Sequence, residues 1–241
     1  MFSKCESLKT LNISGWDTSN IIHMGGTFEE CKSLEELDLS GWNTSNVRNI
    51  QYIFNECSSL KTLNVSEWNI SGVKSLLAVF KDCESIVKLN LSGWDTSNVT
   101  DMSYMFINCK SLVNLDLTNF DTSSVKNMAY MFNNCSNLLN LNISNFNTYN
   151  VKNFDYMFNH CTSLEQLDLS SFTFNKYNKI SFNHILYGGL DNLKNLTVSK
   201  DIITLFGKYS ICNIFLGWNM SNNVIFDFDF DSGSDLNINI K

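Results

Sequence analysis

Seven cysteines, Cys5, Cys31, Cys57, Cys83, Cys109, Cys135 and Cys161, stand at one fixed interval of 26 residues. A constant period of this length marks a repeat array, in which each unit packs on its neighbours and the core runs the length of the stack. The other columns keep the same phase. A phenylalanine lies three residues before each cysteine, from Phe2 to Phe158, and an apolar residue lies three after, from Leu8 to Leu164. Two further apolar files run from Leu11 to Leu167 and from Ile13 to Leu169.

Within one unit, Leu115-Asp116-Leu117 alternates inside and outside, as a short strand does. Stacked copies are expected to pair as a parallel sheet with strands about 4.8 Å apart. Trp16, Trp42, Trp68, Trp94, Phe120, Phe146 and Phe172 form an aromatic file, the expected packing spine. Asp95-Thr96-Ser97-Asn98 turns the chain, because Asp, Ser and Asn bond nearby backbone N–H groups. Val99, Met102, Phe106 and Cys109 then follow at helical steps, which predicts a short helix held only by stacking.

The copies differ. The first carries Gly25-Gly26 in the stretch read as helix, and the third carries Ile70 where the turn elsewhere has Thr. After Phe172 the phase is lost, and the next cysteine position holds Tyr187. Leu193, Leu196 and Val198 resume the leucine spacing three residues late, and Trp218–Val224 echoes the turn. The expected organisation is an array of about seven units over residues 1–172, with a degenerate last repeat and C-terminal cap over 173–241.

The spacing L-x-x-L-x-L at 112–117, the turn W-D-T-S-N-V at 94–99 and the segment M-x-x-M-F-x-x-C-x-S-L at 102–112 resemble the BspA-type leucine-rich repeat surface proteins. They are similar to that group's 26-residue, mycoplasma-type subfamily. The resemblance covers about residues 2–172. The expected fold is then α/β, a leucine-rich repeat right-handed solenoid with one short parallel strand and one short helix per 26-residue turn. The resemblance also implies a cell-surface or secreted role in adhesion or partner binding.

Composition narrows the partners. A net charge of −7 argues against nucleic acid, whose phosphates demand clustered Lys and Arg. No apolar run is long enough to span a bilayer. The opening Met1-Phe2-Ser3-Lys4-Cys5 lacks the pattern of a signal peptide. It begins in mid-repeat, so its apolar edge is expected to be covered by upstream residues or by end-to-end self-association.

Candidate chemistry is sparse. Seven equivalent cysteines suit neither pairwise disulfides nor a four-ligand metal site, and read as small buried free thiols. Cys212 stands outside the ladder as the accessible thiol. His160 next to Cys161 invites a thiol-protease reading, but catalytic pairs are spatial rather than sequential, and no catalysis is expected. The alternation Phe226-Asp227-Phe228-Asp229-Phe230-Asp231 departs from calcium-loop spacing and reads as a closing amphipathic strand. Neither cofactor nor metal is called for. Asn-x-Ser/Thr triplets are treated as by-products of the repeat.

The outward positions of the strands remain. Glu36, Asp38, Thr62, Asn64, Lys88, Asn90, Asn114, Asp116, Asn140, Asn142, Gln166 and Asp168 are expected to line the concave sheet face and to hold a protein or glycan ligand. No aromatic residue projects from these columns to anchor a partner. The expected function is a non-enzymatic binding module, and the alternative is a spacer rod without a specific ligand. A third reading makes Thr18, Thr44, Thr96, Thr122 and Thr148 an exposed hydroxyl array for ice or mineral.

Overall fold

A computed structural model describes residues 1–188, 192–202, 204, 224–225 and 236–240. Its strands, in chain order, are β1 (Glu36–Asp38), β2 (Thr62–Asn64), β3 (Asn114–Asp116), β4 (Asn140–Asn142), β5 (Gln166–Leu169), β6 (Asn195–Val198), β7 (Val224–Ile225) and β8 (Leu236–Ile240). β1 to β4 are short because only their central leucines face inward: Leu37 and Leu115 are buried, and Leu63 and Leu141 half-buried, between exposed neighbours. β1 pairs with β2, β3 with β4 and β5 with β6, all parallel. Leu37 lies opposite Leu63 and Leu115 opposite Leu141, so the register keeps the sequence period. Leu167 meets Leu196, and the late leucines therefore still stack, with the extra residues absorbed between strands. β8 then pairs antiparallel with both β6 and β7.

Like residues form continuous files through the interior. The rings from Phe2 to Phe158 stack at centroid spacings of 5.6 to 5.8 Å. Trp42, Trp68 and Trp94 are buried and stack at 6.5 Å. Burying one such ring stabilises by roughly 2–3 kcal/mol, and each repeat contributes two. In the first coil Phe2, Leu8 and Leu11 are half-buried and Trp16 is exposed.

The predicted helix is not what the chain forms. Residues 128–135, equivalent to 102–109, make a run of tight turns. Met128, Tyr130, Phe132 and Asn134 donate their N–H groups to Asn153, Asp155, Met157 and Asn159 of the next coil, at 2.7 to 2.9 Å. The N–H groups between them, of Met131, Asn133 and Cys135, bond three residues back at 3.1 to 3.2 Å. Alternate donors thus run along the stack and close a local turn. A helix would send all of them four residues back. The geometry requires positive φ at Tyr130 and Asn134, both 59°. The same two positions have positive φ in the other coils, at Tyr52 and Glu56 or Tyr104 and Asn108. The apolar steps fit both structures, and the neighbouring coil decides between them by offering carbonyls.

The threonine file is also not as expected. Thr18, Thr44, Thr96, Thr122 and Thr148 are buried. The Thr96, Thr122 and Thr148 hydroxyls donate to the carbonyls of Asp121, Asn147 and Thr173 in the next coil, at 2.9 to 3.0 Å. Thr44 faces the coil that carries Ile70, and its hydroxyl has no partner. These residues brace coil against coil and present no array to ice.

Close coil packing leaves no room for a side chain at Gly93. A Cβ at Gly93 would lie 2.0 Å from the Ser66 carbonyl oxygen, whereas at Gly15 it would meet nothing within 4 Å. Gly93→Ala is expected to cost about 1–3 kcal/mol through this clash. Gly15→Ala is expected to stay within about 0.5 kcal/mol of the parent. Urea unfolding of the two variants measures the difference.

Candidate functional site: the exposed strand face

Each coil places two residues of the candidate site on the outer face of its strand. All twelve are exposed: Glu36, Asp38, Thr62, Asn64, Lys88, Asn90, Asn114, Asp116, Asn140, Asn142, Gln166 and Asp168. The stacking brings them into two files one strand spacing apart. Two shallow hollows open on this face. One is bordered by Asn114, Asp116, Asn140, Asn142, Gln166 and Leu139, the other by Glu36, Asp38, Ser40, Thr62 and Asn64.

The two files differ in what their side chains already do. In the file between the leucines, Oδ1 accepts the backbone N–H two residues on. Asp38 bonds Ser40, Asn64 bonds Ser66, Asn90 bonds Ser92, Asp116 bonds Thr118, Asn142 bonds Ser144 and Asp168 bonds Ser170. These are Asx turns that lead the chain out of the strand. The Ser40 bond holds the Asp38 carboxyl below its ordinary range. In the other file the side chains are freer. Asn140 donates its amide to Asn114 at 2.6 Å, an amide rung between coils.

A third file, one residue earlier, was not singled out from the sequence. It runs Lys9, Glu35, Lys61, Val87, Val113, Leu139, Glu165. Its charged ends pair across coils, Lys61 with Glu35 at 2.6 Å and Lys194 with Glu165 at 2.9 Å. Its middle is apolar and open: Val87 is 44% exposed and Leu139 40%. The signal was there, as a column that changes from charge to hydrocarbon in mid-array.

The thiols behave as a structural ladder. Cys31, Cys57, Cys83, Cys109, Cys135 and Cys161 are buried and free, while Cys5 is exposed. Each buried thiol donates to the phenylalanine carbonyl of the preceding coil, from Cys31 to Phe2 through Cys161 to Phe132, at 3.0 to 3.1 Å. Desolvation pushes them all up, Cys161 to about 12. A thiol held so firmly protonated is no nucleophile at neutral pH, so the His160–Cys161 pairing has no chemical basis. Among the described residues no group of His, Cys, Asp and Glu could hold a metal, and no helix is long and apolar enough to cross a membrane. Cys212 and the Phe226–Asp231 alternation lie outside the described residues.

Comparison with known families matches the chain twice to one described as "Mycoplasma protein of unknown function, DUF285", over residues 1–112 and 74–197. No curated protein matches the sequence.

The Asx turns make a stability prediction. Asp116→Ala removes the acceptor of the Thr118 N–H and is expected to cost about 0.5–2 kcal/mol, as loss of a comparable cap does. Gln166→Ala, on the freer file, is expected to change stability by less than about 0.5 kcal/mol. Denaturant midpoints of the two variants measure this.

The thiol ladder makes a pH prediction. A thiol that ionises near 9 when unfolded and near 12 when folded, as Cys161 does, favours the fold only while the unfolded chain stays protonated. Stability is therefore full below about pH 8.5 and falls as the pH climbs towards 12. Cys109→Ser keeps a donor but cannot titrate in this range, so its alkaline loss is expected to be shallower. Urea midpoints at neutral and alkaline pH report it.

Proposed function

The chain belongs to this mycoplasma-type repeat family, and we propose that it is a non-enzymatic binding module whose strand face holds a macromolecular partner at a cell surface. The observation that carries the reading is the break in the flanking file. Val87, Val113 and Leu139 lie beside a face whose polar groups are exposed and regularly spaced. A polar face with an apolar rail gives a partner both hydrogen-bonding order and desolvation energy. The resemblance to BspA-type leucine-rich repeat proteins supports the same role, with adhesion as one form of it. A protein partner suits the rail better than a glycan, because aliphatic side chains bury well against hydrocarbon.

A spacer rod is the competing reading, and the Asx turns favour it in part. They assign half of the polar face to holding the coil together.

The test is a pull-down from host-surface protein fractions with the parent chain and with a Val87→Lys, Leu139→Lys double variant. Both positions are open to solvent, so the variant is expected to fold as the parent does, which circular dichroism checks. Loss of specific partners from the variant supports the binding module. Equal recovery of every protein by both chains supports the spacer.

A further inference from the structure

Away from the strand face, one file gathers four cations, whereas many of the remaining charges pair between coils. Stacked charges elsewhere tend to alternate in sign and pair between coils: Lys32 with Glu6 and Lys110 with Glu84, both at 2.8 Å, and Lys61 with Glu35 at 2.6 Å. Where acids stack, as Glu30, Glu56 and Asp82 do, lysines meet them: Lys4 and Lys32 at Glu30, Lys32 at Glu56, Lys81 at Asp82. Arg48, Lys74, Lys126 and Lys152 occupy one column, with Thr100 between them. All four are exposed. Among the described residues none of them makes an ion pair.

The backbone fixes this column as a straight line. Arg48 N–H donates to the Ile22 carbonyl, Thr100 to Lys74, Lys126 to Thr100, Lys152 to Lys126 and Ser181 to Lys152, all at 2.8 to 2.9 Å. From Lys74 to Ser181 successive members are therefore one coil apart, Arg48 stands one 26-residue repeat before Lys74, and the file spans about 19 Å at about 4.8 Å per coil. Arg48 and Lys74 are direct neighbours, as are Lys126 and Lys152. Like charges at that distance repel and weaken the stack. An anionic partner lying along the file would relieve the repulsion.

We infer that this file is a second binding site, one that takes an acidic polysaccharide laid along the stacking axis. Three observations select that chemistry. The first is that the charge is linear and regularly spaced, which suits a chain rather than a compact anion. The second is that the columns before it carry exposed polar side chains held in a row, Asn46, Asn98 and Asn150, whose amides donate to the Ser19, Ser71 and Ser123 carbonyls of the preceding coil. The third is that Tyr104, Tyr130 and Tyr156 of the following turns are taken up by ring stacking, while Tyr52 in that column is 38% exposed. Tyr104 lies on Tyr130 and Tyr130 on Tyr156 at 4.7 Å, and Tyr156 on His184 at 4.9 Å. Those rings offer edges and hydroxyls where single-stranded nucleic acid requires open ring faces. The site is independent of the strand face and stands whether or not that face binds.

The experiment measures binding of polygalacturonate and hyaluronan to the full chain by biolayer interferometry, with neutral dextran, single-stranded DNA and phosphatidylglycerol vesicles alongside. The acidic polysaccharides are expected to bind, more weakly as salt rises, and dextran is not. The variant R48Q/K74Q/K126Q/K152Q is expected to lose roughly tenfold or more in affinity, as several weak surface charge contacts together would give. The charge-matched variant K4Q/K32Q/K110Q/K200Q is expected to lose less than about threefold. Equal loss from both variants, or no binding of either polysaccharide by the parent, overturns the proposal. Tighter binding of DNA or vesicles than of polysaccharide also overturns it.

Discussion

Everything in this fold depends on where the backbone N–H groups of the turn segment point. In residues 128–135 alternate donors bond the next coil, and the intervening ones close turns behind them. No donor is left over for a helix, and none is left bare in the interior, where it would cost about 1–3 kcal/mol. This arrangement forces one coil to lie in register on the next, since a slip by one residue would misplace every second bond. The Phe, Trp and Cys files are then consequences. Identical side chains stack because the backbone carries them to the same place in each coil.

The cost of this solution is positive φ at a position that glycine fills in the first coil, at Gly26, but not in the coils that follow. Tyr104, Tyr130 and Tyr156 all adopt it, with φ between 57° and 60°. A left-handed residue costs roughly 1–2 kcal/mol. The tyrosines offset it by stacking on one another at 4.7 Å. Their companions Asn108 and Asn134 tolerate the region as asparagine does, and they link coil to coil through their amides, Asn134 donating to Asn108 at 2.8 Å. The strain recurs with the repeat, so its relief has to recur with the same period.

The sequence was legible wherever a residue type is bound to one environment. Leucine, phenylalanine and tryptophan at a fixed period had to be interior, and Leu37, Phe54 and Trp68 are. It was less legible where two structures share one pattern. Val99, Met102, Phe106 and Cys109 have the spacing of a helix, and a run of turns gives the same spacing with different hydrogen bonds. Threonine misled because its hydroxyl reads as a surface group, whereas a carbonyl in the next coil makes it an interior brace. The strand-face residues were placed correctly as exposed, but nothing in their spacing showed that Asp38, Asp116 and Asp168 hold their own turns. That follows only from the direction in which the chain leaves the strand.

A repeat of this kind separates packing from function in an unusually direct way. A column that keeps its chemistry through every coil, like the phenylalanines, is held there by its neighbours above and below. A column that changes is free of that requirement, and what it changes to then carries information. Ile70 interrupts the threonine file and gives nothing visible in return, and the Thr44 hydroxyl of the coil before it has no partner. Val87 and Leu139 bring hydrocarbon to the surface, with the half-buried Val113 between them, and packing alone supplies no reason for that exposure. Arg48, Lys74, Lys126 and Lys152 set like charges beside one another, against the electrostatics of the stack. The last two departures oppose stability, so the physical reading assigns them to what the surface meets rather than to what the coils need.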